Sequence, residues 1–127
     1  SSFINTKSIS KGGGISTFRN AVVVSEKAKN SKSAVSCESL MLDDISRSDT
    51  VPAMDIRCAD ADVGHEARIG RISDDAVFYL MNRGISEEDA KAMIVSGFAD
   101  NVSKELPLEY AVEMNNLIQL EMKGSIG

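Results

Sequence analysis

The 127-residue chain has no tryptophan, one histidine, two cysteines and two prolines. Its aromatics are limited to Phe3, Phe18, Phe78, Tyr79, Phe98 and Tyr110. So sparse a set argues against a base-stacking nucleic-acid surface, and a net charge of -5 opposes binding to a polyphosphate. Cys37 and Cys58 are too few to form a disulfide framework. No apolar run approaches the roughly 20 residues that a membrane helix needs. The opening SSFINTKSISK has no apolar signal core, and no initiator methionine precedes it. These absences predict an intracellular, soluble chain with reduced thiols, read here as a piece of a longer protein. The glycine run KGGGIST is followed by no Lys-Ser/Thr pair, so it lacks the phosphate-cradling pattern. It reads as a turn whose glycines take positive φ.

What is present divides into two physically different halves. Residues 1 to 72 carry 10 basic and 9 acidic side chains, a net of +1; residues 73 to 127 carry 4 and 10, a net of -6. The first half reads in period two, in FRNAVVVS (18–25), SAVSCESLML (33–42), VPAMDIRC (51–58) and ADVGHEARI (61–69). Turn-rich pieces made of Gly, Ser, Asp, Asn and Lys separate these runs. The segments begin 15, 18 and 10 residues apart, which is no strict repeat. Short strands at such spacing fit a sandwich, a barrel or the coils of a β-helix, and periodicity does not choose among them.

After Ile72 the period becomes helical. Ser73 with Asp74 and Asp75 supplies an N-cap and two acids for the positive end of a helix dipole. Gly84 closes that helix. Ser86-Glu87-Glu88-Asp89 opens a second, whose expected apolar face is Ala90, Met93, Ile94, Phe98 and Val102. Leu106-Pro107 ends it, because the residue before proline avoids helical angles. A third helix is expected over 108–122, with Tyr110, Met114, Leu117, Ile118 and Met122 in one stripe, and Gly124 after it.

Three residues are candidates for chemistry: Cys37, His65 and Glu66. HEAR is not a zinc-protease motif, since no second histidine follows one helical turn later. A closed zinc site needs four ligands, and only Cys37, Cys58 and His65 are soft enough. Strand parity puts Ala61, Val63, His65, Ala67 and Ile69 on one face and Asp62, Gly64, Glu66 and Arg68 on the other. On that pattern His65 is a hydrogen-bonded core histidine or a ligand, and Glu66 is a solvated partner for Arg68 or a ligand. Cys37 alternates with Val35, Ser39 and Met41, as a small buried hydrophobe would.

Taken together, several stretches carry a resemblance. SRSDTVPAMDI, VGHEARIGRISDDAVFYLMNRGISEEDAKAMIVSGFADNV, ELPLEYAVEM, the terminal GSIG and the earlier TKSISKGGGISTFRN closely resemble the C-terminal part of the SufB/SufD family. These are the scaffold proteins of the SUF iron–sulfur cluster assembly system, and Cys37 with the GHEA step resembles the SufB side of the family. The resemblance implies an α+β chain: the last coils of a right-handed parallel β-helix (1–72), then a small C-terminal helical domain (73–127). It implies a non-enzymatic scaffold, cytoplasmic or in a plastid-like organelle, that helps hold a transient iron–sulfur cluster. It implies docking of SufC, an ABC-type ATPase, through 73–127, with the nucleotide on that partner. A SufD-like paralogue or a second copy would pair with the β-helix end. Carried over by motif, Cys37 in AVSCESL, Glu66 of GHEA and its neighbour His65 become the metal and cluster ligands, Cys37 with Glu66 first. A thiolate is soft and suits iron, a carboxylate takes a harder iron, and imidazole suits either. Cys58 is read as structural.

Two departures bear on the subfamily: Gly64 stands where many relatives have a charged residue, and Ala53 where an aromatic is common. One rival reading is a SufD-like structural partner without its own cluster. Another is a thiol enzyme using Cys37 with His65 as base, which requires the two within hydrogen-bond reach.

Overall fold

The structure is a computed structural model that describes residues 1–124. The GSIG ending, apart from Gly124, lies outside the described residues. The chain divides into two compact units, the first Ser1–Arg71 and the second beginning at Ile72.

The first unit contains five strands: β1 (Ser2–Ser10), β2 (Ile15–Val24), β3 (Lys32–Met41), β4 (Arg47–Ile56) and β5 (Asp62–Arg71). Alternate strands enter alternate sheets. One sheet has the order β1-β3-β5 and the other pairs β2 with β4, and every pairing is parallel. Ser2 faces Ser33, Ile15 faces Arg47 and Lys32 faces Asp62, so partners lie 30 to 32 residues apart. The repeat missed in the spacing of single runs is thus carried by pairs of strands. β1 was also not foreseen. Its inward positions Thr6, Ser8 and Ser10 are hydroxyls, so the alternation of apolar with polar residues that marks a half-buried strand is missing.

The interior is half apolar and half polar. At one end Val22, Val24, Val35, Cys37 and Cys58 form a buried cluster, with Phe18, Ala28, Ala61 and Val63 packed against it. Each valine there contributes about 1.5–3 kcal/mol through removal of apolar surface from water. At the other end five serines bridge the two sheets. Ser8 lies 3.0 Å from Ser16 and 2.9 Å from Ser39, Ser39 lies 2.6 Å from Ser48, and Ser16 donates to Ser48 at 3.1 Å. Ser10 donates to Ser16 at 3.4 Å.

The turns stack as the strands do. Gly12 and Gly13 take φ of 61° and 81°, as expected for the glycine run. The Asp43 carboxylate of the next turn accepts the Gly12 amide at 2.6 Å, together with the amides of Ile45 and Ser46 at 3.1 and 2.7 Å. Hydrogen bonding to the Ser46 side chain holds the Asp43 carboxyl below its ordinary value of 3.8; desolvation, the next largest effect, opposes it, and the Gly12, Ser46 and Ile45 amides lower it further.

The second unit contains α1 (Asp74–Met81), α2 (Glu87–Ser103) and α3 (Leu108–Met122). Both serine N-caps form as the sequence predicts: Ser73 accepts the Ala76 amide and Ser86 accepts the Asp89 amide. Gly84 takes φ of 87° just after α1. The buried face of α2 differs from expectation. It consists of Ala90, Ala92, Val95, Ala99 and Ser103, whereas Met93 is half exposed. Small side chains let α2 approach both of its neighbours closely, and Ile94 and Phe98 of the expected face are only half-buried. In α3 no residue is fully buried, and Tyr110 and Leu117 of the expected stripe are exposed.

Candidate metal and sulfur site

Cys37 lies at mid-strand in β3, the central strand of its sheet, where both neighbours fix the register. Its ladder partners are Thr6 on β1 and Ala67 on β5. Period-two alternation sends Val35, Cys37 and Ser39 inward together. The thiol is 1 % exposed and sits where the apolar half of the interior meets the polar half.

Three polar groups converge on its sulfur. Thr6 Oγ1 donates at 3.1 Å, Asn20 Nδ2 donates at 3.0 Å, and His65 Nε2 lies 3.6 Å away. They arrive from β1, β2 and β5, so both sheets contribute. His65 occupies the inward parity position expected of it. It pairs in the ladder with Val35, one inward residue before Cys37.

Glu66 is placed elsewhere. It takes the opposite face of β5, where its carboxylate accepts Arg68 Nε at 2.9 Å and lies 2.8 Å from the other guanidinium nitrogen. Its side chain is 59 % exposed. The charge on that face continues across the sheet: Glu38, beside Arg68 in the register, pairs with Lys7 Nζ at 2.9 Å. Hydrogen bonding to Glu66 raises the Arg68 guanidinium above its ordinary value, and the charges of Glu66 and Glu38 add to this against desolvation. The fold therefore brings Cys37 and His65 together and leaves Glu66 paired on the outer face. Cys58 is a free buried thiol in the apolar cluster and, among the described residues, has no polar contact of the kind Cys37 has.

Two residues of this cluster were not singled out in the sequence. Thr6 lay on the strand that the alternation did not reveal. Asn20 did carry a signal: it stands at an inward position of FRNAVVV between Phe18 and Val22, where an apolar residue is expected. A polar residue at such a position calls for a hydrogen-bond partner, and Cys37 is that partner.

The donor set fits a metal ion in part. A thiolate and an imidazole on one tetrahedral ion, with bonds of about 2.3 and 2.0 Å, lie about 3.5 Å apart. The Cys37–His65 separation of 3.6 Å is close to that spacing. Among the described residues no group of three or more His, Cys, Asp or Glu side chains is placed to hold an ion. A complete shell therefore needs ligands beyond this pair. The wall between the cluster and the outside is thin on one side, because Ala67, the β5 ladder partner of Cys37, is exposed.

Comparison with known proteins adds the following. The model of the SUF system FeS cluster assembly SufBD core domain matches residues 1–98. An iron–sulfur cluster assembly SufBD family protein of Mycobacterium leprae is 49 % identical over all 127 residues, which cover 15 % of that protein. The iron–sulfur cluster assembly protein SufB of Bacillus subtilis is 50 % identical over the same 127 residues, 27 % of its length. A SufBD family protein of Staphylococcus saprophyticus is 50 % identical over an equal share. The chain thus spans 15 to 27 % of the length of these relatives.

Proposed function

The chain belongs to the SufBD family of the SUF iron–sulfur cluster assembly system, and from that premise we propose that it is part of a non-enzymatic scaffold on which a nascent cluster is held. The observation that carries this reading is the convergence on the buried Cys37 sulfur of one imidazole and two neutral hydrogen-bond donors. Cys37 and His65 are the proposed pair for one iron. Glu66, on the opposite face of β5 and paired there with Arg68, is proposed as a further cluster donor on that outer face and not as a ligand of the same iron. The cluster is cargo, and an incomplete ligand set from this chain suits a cargo that must leave.

The alternation of five parallel strands between two sheets at a spacing of 30 to 32 residues supports assigning residues 1–72 to the coils of a right-handed parallel β-helix. Its β5 edge, with Ala67 and Ile69 exposed at inward parity positions, suits pairing with a SufD-like paralogue or a second copy. Residues 73–127 would dock a SufC-type ATPase, which would supply the nucleotide. Exposed Phe78, Tyr79, Leu108, Tyr110 and Val112 and the net charge of -6 support that assignment. The proposed compartment is the cytoplasm or a plastid-like organelle.

The reading as a thiol enzyme has one favourable observation, the 3.6 Å between Cys37 and His65. Burial weighs against it, because a thiol 1 % exposed cannot reach a substrate carbon in an in-line attack. The test is anaerobic reconstitution of the full-length protein with iron and sulfide, with and without Cys37→Ala. A visible charge-transfer band lost in the variant is the expected result. An unchanged band would move the cluster elsewhere, and no band in either protein would favour the SufD-like role.

A further inference from the structure

We infer that Thr6 and Asn20 are positioning residues for the Cys37 sulfur: their two donors occupy two of its approaches and leave the third directed at His65 and at whatever metal the pair holds. The inference rests on the reading of Cys37 as a ligand, and it assigns a task to two residues that the ligand set does not include.

The geometry is over-determined in a way that packing alone does not require. Thr6 and Cys37 are register partners on adjacent strands, so the hydroxyl reaches the sulfur at 3.1 Å with no backbone adjustment. Its other acceptor, the Ser36 carbonyl, is farther, at 3.4 Å. Asn20 comes from the opposite sheet and donates at 3.0 Å. Both distances are short for a sulfur acceptor, and they are made from two sheets to one atom. A neutral thiol is a weak acceptor, whereas a sulfur carrying negative charge accepts several donors strongly. Two fixed donors therefore suit a sulfur that bears charge, as a metal-bound thiolate does. Asn20 is half-buried between Phe18 and Val22 on the inward side of β2, where an amide without a partner is costly.

Donors aimed at a ligating sulfur have a definite spectroscopic consequence. They withdraw electron density from it, which lowers the energy of its lone pairs and raises that of the sulfur-to-metal charge-transfer transition. They also hold the side chain in one rotamer, so the 3.6 Å spacing to Nε2 exists before a metal arrives.

The test uses cobalt(II) alone as probe, added anaerobically to the full-length protein. The difference between the native protein and Cys37→Ala isolates the near-ultraviolet band of a Cys37–cobalt bond. Thr6→Val and Asn20→Leu are each expected to move that band to lower energy and to weaken cobalt binding about 10-fold. Thr6→Ser, which keeps the hydroxyl, should retain both the native band and the native affinity. Should Asn20→Leu fail to fold, the near-isosteric pair Thr6→Val and Thr6→Ser decides the matter alone. Native band energy and affinity in Thr6→Val and Asn20→Leu would overturn the inference, as would an equal loss in Thr6→Ser. If Cys37→Ala and the native protein give the same spectrum, it is the proposed ligand itself that fails, which is a distinguishable result.

Discussion

The two units of this chain use polar groups in opposite places. In the helical unit the polar groups that matter lie at helix ends: Ser73 and Ser86 cap their own helices three residues on, and the acids follow in the first turn. Its small core, from Ala90 to Ser103 along α2, contains no charged residue. In the strand unit hydroxyls, an amide and an imidazole lie inside, linking residues as far apart as Ser16 and Ser48. Local capping is satisfied by neighbours in sequence and can be built anywhere. Interior polar groups are satisfied only when distant strands arrive in register, and each is costly when its partner is missing. The unit with the costly interior is also the one that carries Cys37, consistent with polar groups being retained where they serve chemistry.

The widest separation between the units should come from a charge placed in the helical core. Val95 is 2 % exposed, and Val95→Asp should remove at least about 3 kcal/mol from that unit, since it puts a carboxylate into a small apolar core. Amide hydrogen exchange is expected to report lost protection in α1–α3 with β3 still protected; equal loss in both would mean that the two units unfold as one. Next in size, Ser39→Ala deletes the hydroxyl shared by Ser8 and Ser48 and should cost the strand unit about 1–3 kcal/mol by urea denaturation. A change within error would show that the serine network is decorative.

Thr50 sharpens the same comparison with the opposite sign. Its buried Oγ1 has no protein partner, and it is the single such side-chain atom among the described residues. Replacement by the isosteric valine should be neutral or stabilising by up to about 1 kcal/mol. A clear loss of stability in Thr50→Val would reveal a partner that the hydroxyl needs. The smallest effect is confined to acid. Asp43 has a folded value below 3.8, so its contribution is complete above that pH and is lost as the pH falls through the folded value. Asp43→Asn should therefore flatten the acid limb of the stability profile below about pH 4 and leave its shape near neutrality unchanged. Equal acid sensitivity in both proteins would assign that limb to other carboxylates.

How much was legible in the sequence follows from the same contrast. Ser73, Ser86, Gly84 and Pro107 marked helix ends because capping and proline geometry are local. The parity of ADVGHEARI placed His65 inward and Glu66 outward, because alternation in a strand is also local. β1 was not legible, since its inward side chains are hydroxyls, and neither was the buried face of α2. There two adjacent stripes are both apolar, and only packing decides that Ala92, Val95 and Ala99 go inside while Met93 does not. The candidate site was legible as residues but not as a constellation. Motif resemblance named Cys37, His65 and Glu66 together, whereas the fold joins Cys37 to His65, Thr6 and Asn20 and pairs Glu66 with Arg68.

By itself, then, the sequence determined the change from strand to helix near Ile72, where the helices start, the family, and the side of its strand on which each candidate residue lies. Each of these depends on residues within a few positions of one another, or on direct likeness of motif. Tertiary structure alone decided the 30- to 32-residue register, the serine bridge between sheets and the three groups that meet at the Cys37 sulfur. Those depend on which strands lie side by side, and strand alternation is compatible with many pairings. Asn20 and Cys37 are 17 residues apart in sequence and 3.0 Å apart in space, a closeness that only the packing of one sheet on the other brings about.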